Sequence, residues 1–422
     1  MLNMFPEKPK NKKLVYLDHA ATTYMNPKVK KAMEPFFVDK FANPSGLYSI
    51  GREVNGDLNS ARRSVAEIMH AMPDNIIFTG GGTESDNTAI LGVARKQEKH
   101  GKHIITTKIE HHAVLHPCEY LEKHGFEVTY LDVDSQGFVS PKKVRDSIRP
   151  DTILISVMYA NNEIGTVEPI ADIGREILKY RKENNTEFPY FHTDACQAAG
   201  VLDLDVEKLH VDLMTINGSK IYGPKGVGVL YKRRGIQIEP LTFGGGQEFG
   251  MRNGTENIAG IIGLTKALEI SQENCQDENM RLVDLRNYFY TQLEKEIPKI
   301  KLNGPQLHPS DCAGQAELNE LKRLPNNLNV TFMDIEGEAM LLYLDEYGIV
   351  CSTGSACTSM SLEASHVLTA CGMPYEYAHG SLRFSLGKRN TKDDVDYVME
   401  YLPAIVERLR EISPVNLKYK GK

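Results

Sequence analysis

The seven cysteines include no CxxC pair, and an odd number cannot close a disulfide framework. Neither a zinc ribbon nor a disulfide-stapled fold is expected, and reduced thiols in a cytosolic protein fit better. No stretch approaches the roughly 18 uninterrupted apolar residues that a membrane helix needs. The first residues, Met1-Leu2-Asn3-Met4-Phe5-Pro6 followed by several lysines, lack the apolar segment of a secretory signal. Positive charge has no excess either. Lys and Arg total 49 against 56 Asp and Glu, a net charge of −7, so no global field draws nucleic acid or an anionic membrane. Internal repeats and low-complexity tracts are absent. These absences leave a soluble intracellular protein, expected in the cytoplasm, with no direct contact to nucleic acid or membrane.

What is present reads as an ordinary globular enzyme. The 422 residues are 41% hydrophobic and 25% charged, enough to bury a core in two or three domains, or one large domain with a satellite. From residue 75 to 233, short β-branched runs at 75–79, 103–108, 127–133, 152–160, 190–193, 213–217 and 226–233 alternate with helix-like segments at 84–99, 114–124, 141–148 and 170–182. That alternation predicts an α/β fold with a mostly parallel sheet and its ligand beyond the carboxyl ends of the strands. After Thr255 the pattern changes to long helices at 258–272 and 280–297, then short strands and helices. A second, smaller α+β domain is expected there.

Five of the polar motifs sit at or just after strand ends. Phe78-Thr79-Gly80-Gly81-Gly82-Thr83-Glu84-Ser85-Asp86 joins a strand to a helix; its glycines allow close backbone approach, and the helix start favours an anion such as phosphate. Thr83 and Asp86 have capping-box spacing, which predicts where that helix begins. The stretch lacks the Gly-Lys-Ser/Thr ending of a P-loop. Glu110-His111-His112-Ala113 offers a histidine for proton transfer or for stacking on an aromatic ring; two adjacent histidines face apart, so chelation is not expected. No metal site is expected. Asn161-Asn162 offers amides to a ligand hydroxyl. Asp194, in His192-Thr193-Asp194-Ala195-Cys196-Gln197, can pair with a protonated ring nitrogen. Lys220, in Asn217-Gly218-Ser219-Lys220-Ile221-Tyr222-Gly223-Pro224-Lys225-Gly226, lies one helix and one strand further on, so its amine can face the same cleft and form a Schiff base. In the second domain, Cys357 sits among small residues in Ser352-Thr353-Gly354-Ser355-Ala356-Cys357-Thr358-Ser359, where a thiolate can act as nucleophile. Arg383, at mid-strand in Ser381-Leu382-Arg383-Phe384-Ser385, needs an anionic partner, either a ligand carboxylate or a structural acid.

With these motifs in this order, from Tyr16-Leu17-Asp18-His19-Ala20-Ala21-Thr22-Thr23 to about Pro414, the chain resembles the cysteine desulfurases of the aminotransferase class V group, closest to the housekeeping iron–sulfur-assembly branch. The resemblance implies the pyridoxal-phosphate transferase fold of type I, with a large cofactor domain at 21–268 built on a seven-stranded sheet. The smaller domain is then 1–20 plus 269–422, with the cysteine loop at about 350–362. It further implies pyridoxal 5'-phosphate held by Lys220, with Asp194 on the ring nitrogen, Gln197 and Asn162 on the ring hydroxyl, and His111 stacked on the ring. Gly82, Thr83, Asn217 and Ser219 occupy phosphate-contact positions. Thr255 matches a phosphate contact supplied by the partner of a homodimer. Arg383, with Asn162, resembles the carboxylate clamp for L-cysteine, and Cys357 the persulfide-forming nucleophile. The implied partners are sulfur-acceptor proteins, such as an iron–sulfur scaffold or a tRNA-thiolation relay. One departure stands out: Ser219 replaces the histidine common in the family, keeping a hydroxyl but losing the imidazole. A selenocysteine lyase or plain class V aminotransferase is the nearest rival reading; a non-enzymatic scaffold is not expected to keep both Lys220 and Asp194.

Overall fold

The computed structural model describes residues 5–273, 275–307, 321–353 and 364–413. In chain order its strands are β1 (Val15–Tyr16), β2 (Ile76–Thr79), β3 (His103–Thr107), β4 (Glu127–Leu131), β5 (Thr152–Ser156), β6 (Tyr190–Asp194), β7 (Leu213–Asn217), β8 (Gly228–Lys232), β9 (Ile300–Leu302), β10 (Asn327–Phe332), β11 (Ile349–Val350) and β12 (Ser381–Ser385). Among the described residues, seven of them form one sheet in the order β2-β8-β7-β6-β5-β3-β4. The pairs from β7 through β4 are parallel, while β8 runs antiparallel to both β2 and β7. The fold is α/β with a mostly parallel sheet, as the alternation of runs predicts.

Helices cover both faces of this sheet, and the two-residue period of each strand divides its side chains between them. Phe78, Ile105, Ile155, Met214 and Val229 pack with Val54, Leu58, Ile173, Leu264 and Leu268 on one side. Their neighbours Ile77, Ile104, Leu154, Leu213 and Leu230 pack with Ile90, Val93, Val114 and Leu121 on the other. Strands buried on both faces are nearly continuous apolar runs, and that is why they read plainly in the sequence.

A separate core joins Leu17, Phe289, Leu293, Leu328, Val330, Phe332, Leu344, Phe384, Leu402 and Ile405. It lies around the sheet β12-β10-β9 and the helices Cys275–Glu296 and Lys392–Ile412. The start of the chain belongs here: β1 pairs with β11, and Leu17 accepts the Ser385 N–H at 2.7 Å.

Two local expectations need correction. The helix after the glycine run is Gly82–Gln97, capped by Gly81 at φ 148°, with no side-chain cap. No capping box forms between Thr83 and Asp86, because Thr83 already lies inside the helix; the Glu84 carboxylate turns back to accept the Gly80 N–H at 2.9 Å. The run at 152–160 ends as a strand at Ser156, beyond which the chain enters a turn held by Asn161.

Candidate active site

The ends of β2, β3, β5, β6 and β7 open toward one region, and the polar motifs stand on them. After β7 comes the short turn Gly218–Lys220, where the Asn217 side chain accepts the Ser219 N–H at 3.3 Å. Gly218 has no room for a side chain, since a Cβ would lie 2.8 Å from the Pro224 carbonyl oxygen. Lys220 Nζ donates to the carbonyl oxygens of Ala20 at 2.9 Å and Ala21 at 2.6 Å. Gln197 Nε2 donates to the same Ala20 oxygen at 2.9 Å. Thr23 fastens this segment to the turn, its N–H and hydroxyl both donating to the Ser219 carbonyl oxygen. The main chain from Ala20 to Thr23 therefore forms one wall of the site. Sequence reasoning missed that wall, because a main-chain carbonyl has no side-chain signature.

Asp194 ends β6, beside β7, and is buried. One of its oxygens accepts the Cys196 N–H at 2.9 Å. Beneath it a second layer of polar groups is packed away from solvent. His192 lies between Ser156 Oγ at 2.9 Å and Thr215 Oγ1 at 3.1 Å, and its Nε2 is 3.6 Å from Asp86 Oδ1. Burial pushes the His192 imidazole down to about 4. Burial, reinforced by the Asp194 charge, holds the Asp86 carboxyl well above the usual range. Burial likewise pushes Glu110 up to about 8, against the pull of the Met158 N–H and the Thr107 hydroxyl. Cys196 is buried and its thiol is pushed up; burial does the same to Cys118, and both fit structural roles.

His111 caps the helix His112–Glu122, its Nδ1 accepting the Ala113 N–H at 3.0 Å. Burial lowers its basicity, with Asp194 opposing and Lys220 reinforcing the shift. With Nδ1 acting as acceptor, the neutral ring carries its proton on Nε2. His112 turns away and stacks on His116, with centroids 4.7 Å apart. Among the described residues no cluster of His, Cys, Asp and Glu could hold a metal ion.

The glycine loop makes a cradle. A Cβ on Gly82 would lie 2.7 Å from Cys196 Sγ and 3.4 Å from the Asn217 side chain. No side chain caps the helix that starts there, so its first N–H groups, with Thr83, suit an anion. Across the cleft, Arg383 on β12 is 2% exposed. Its Nη2 is 2.7 Å from Asp18 Oδ1, and its Nη1 donates to the Asn162 carbonyl oxygen at 3.0 Å. Its Nε–H is buried and meets no acceptor among the described residues. Lys220, Asp194, Gln197, His111, Gly82, Thr83, Asn217, Ser219, Asn162 and Arg383 thus lie on converging elements. Thr255 is exposed, on the loop after the turn Glu248–Gly250. Cys357 lies outside the described residues.

A large parallel-sheet domain with a Lys–Asp pair at adjoining strand ends and an anion cradle beside them defines the class of pyridoxal-phosphate transferases of fold type I. Residues 15–398 match the family model for aminotransferase class-V, and the chain belongs to that family. A cysteine desulfurase IscS from Clostridium botulinum (strain Hall) is 51% identical over 403 residues, covering 96% of this chain and 97% of that protein. Another, from Methanosarcina thermophila, is 52% identical over 406 residues, covering 96% and 95%. A solved NifS-like protein superposes with a TM-score of 0.84 at 36% identity, covering 94% of this chain and all of that one. The structure of SspA in complex with cysteine gives 0.74 at 35% identity, covering 89% and 99%. The chain is a pyridoxal 5'-phosphate enzyme. The described residues fit that cofactor: a helix start with no side-chain cap for its phosphate, a buried carboxylate for its ring nitrogen and a lysine amine for its aldehyde.

Proposed function

We propose that the chain is a cysteine desulfurase, converting L-cysteine to L-alanine and passing the sulfur on as a persulfide of Cys357, for iron–sulfur cluster assembly or tRNA thiolation. The observation that carries this reading is the buried Arg383 with an unmet donor, set across from Lys220 and Asp194. An amino-acid carboxylate would meet that donor. Lys220 would hold the cofactor, Asp194 its ring nitrogen, Gln197 and Asn162 its ring hydroxyl, and Gly82, Thr83, Asn217 and Ser219 its phosphate. When bound, the group supplies an electron sink that makes the substrate Cα–H acidic. Lys220, displaced by the substrate amine, takes that proton as a general base. His111, neutral with its proton on Nε2, would stack on the ring of that group and donate its Nε2 proton. The Cys357 thiolate attacks the substrate sulfur; the S–S bond forms, the C–S bond breaks, its electron pair stays with carbon, and protonation there yields alanine.

A homodimer fits the exposed apolar side chains Phe37, Phe41, Leu47 and Phe243, which are 63%, 70%, 89% and 83% exposed, and the exposure of Thr255. The two separate cores support a division into a large domain at 21–268 and a small one of 1–20 and 269–422. Among the described residues no helix is long and apolar enough to cross a membrane. A cytoplasmic enzyme delivering sulfur to acceptor proteins is consistent with that.

The test is alanine released from L-cysteine with a thiol acceptor, wild type beside Cys357→Ala. The variant is expected to keep the visible cofactor band and to release no alanine. Undiminished alanine from it would remove Cys357 from the reaction, and no alanine from a cofactor-loaded wild type would overturn the substrate.

A further inference from the structure

We infer that Asp18 is a positioning residue that sets how firmly the site grips the α-carboxylate of its amino acid, by standing as a resident anion against Arg383. This rests on the reading of Arg383 as the carboxylate clamp.

The guanidinium of Arg383 is buried, and its three nitrogens have two neighbours among the described residues. Asp18 Oδ1 meets Nη2 at 2.7 Å, the Asn162 carbonyl meets Nη1 at 3.0 Å, and Nε–H meets nothing among the described residues. Asp18 cannot drift from this place. The Leu17 carbonyl accepts the Ser385 N–H at 2.7 Å, the His19 N–H donates to the Ser385 carbonyl at 3.3 Å, and the Tyr16 hydroxyl donates to the Asp18 carbonyl at 3.0 Å. Asp18 thereby bridges to Ser385, two residues from Arg383 and on the same side of β12. The acid and the base are held by adjoining chain segments, so their contact is built into the backbone.

Two consequences follow. With Nη1 and Nη2 engaged, the guanidinium plane is fixed and its Nε side is the one left for a further carboxylate. Asp18 also cancels the arginine charge where water is scarce and repels a second carboxylate brought alongside. Substrate and product carry the same α-carboxylate. A buried guanidinium without its acid would hold both too firmly, and alanine would leave slowly. Asp18 keeps the grip loose enough for turnover.

The experiment measures L-alanine binding to the cofactor-loaded enzyme from the change in its visible spectrum, together with KM and kcat for L-cysteine. Asp18→Asn, nearly isosteric and uncharged, is expected to bind L-alanine about tenfold more tightly and to lower KM in proportion, with kcat equal or lower. Asp18→Ser should move both in the same direction, and serves should the first variant fold poorly. Ethylamine, which lacks the carboxylate, should bind the variants as it binds wild type. Unchanged or weaker alanine binding in the Asp18 variants would overturn the inference, as would an equal gain for ethylamine. Arg383→Lys separates the two levels: wild-type alanine affinity in that variant would instead refute the reading of Arg383.

Discussion

The side-chain amine of Lys220 donates to the carbonyl oxygen of Ala21 at 2.6 Å, and to that of Ala20 at 2.9 Å. These acceptors are neutral, and they come from the start of the chain, some 200 residues away in sequence. The amine is oriented at the end of β7 by these main-chain carbonyl oxygens. Lys220→Ala is expected to lower alanine formation at least about a thousandfold. The visible band of the protein-bound cofactor should shift or vanish in the same preparation. A variant that keeps both band and rate would show that Lys220 does not hold the cofactor.

Gly82 is a tight spot rather than a flexible one. A methyl group there would collide with Cys196 Sγ at 2.7 Å, and the Cys196 main chain is itself tied to Asp194. Gly82→Ala should therefore displace both the helix start and the Asp194 carboxylate, weakening cofactor affinity by about tenfold or more. Adding Cys196→Ala opens the space and should restore much of it. Titration of the stripped protein with pyridoxal 5'-phosphate reads both values.

How much of this was legible depended on the kind of residue involved. The strands of the large sheet were visible because Ile104, Ile105, Ile153, Leu154 and Ile155 are buried whichever face they point to. The strand Ser381–Ser385 was readable to the residue. The helix Ser49–Ile68 escaped notice although Val54, Leu58, Ala61 and Val65 recur at helical spacing. Its buried stripe is interrupted by Arg62, whose partner Glu248 lies far along the chain. Asp18 went unassigned for the same reason: its meaning lies in a contact to Arg383 more than three hundred residues away. The capping box failed because the helix already starts at Gly82, which leaves Thr83 inside it and not at its cap. Local spacing cannot report long-range pairing.

Stability should respond to pH from both sides. The Glu110 carboxyl is raised from 4.5 to about 8 by burial. It stays protonated in the folded chain where the unfolded chain has ionised. Its contribution is full below about pH 4.5 and is lost as pH rises through 8. His192, lowered from 6.5 to about 4, acts in the opposite sense, its contribution being lost as pH falls from 6.5 toward 4. Glu110→Gln keeps an acceptor for the Thr107 hydroxyl and the Met158 N–H. The variant is expected to flatten the decline between pH 6 and 8, a difference of roughly 2–3 kcal/mol. Urea unfolding at those two pH values measures it, and parallel wild-type and variant curves would refute it.

The sharpest stability effect is expected at Arg62 and Glu248. Both are buried, and they meet in a two-pronged pair at 2.8 and 2.5 Å, while Glu248 also accepts the Phe78 N–H at 2.8 Å. The guanidinium lies over the rings of Phe78 and Phe249, 4.9 and 5.0 Å from their centroids. Glu248 and Phe249 themselves take positive φ values of 47° and 57°, a strained geometry that the ion pair helps to hold. Glu248→Ala leaves a buried cation unpaired and should cost about 3–5 kcal/mol in denaturant unfolding. Replacing both partners, as Arg62→Met with Glu248→Leu, should recover much of that loss, because the desolvation penalty disappears with the charges. The same loop carries Thr255, so the double variant separates two effects. Restored stability with undiminished association of the proposed homodimer would mean that apolar packing alone shapes the loop. Restored stability with weakened association would mean that the Glu248 hydrogen bonds aim the loop toward the partner.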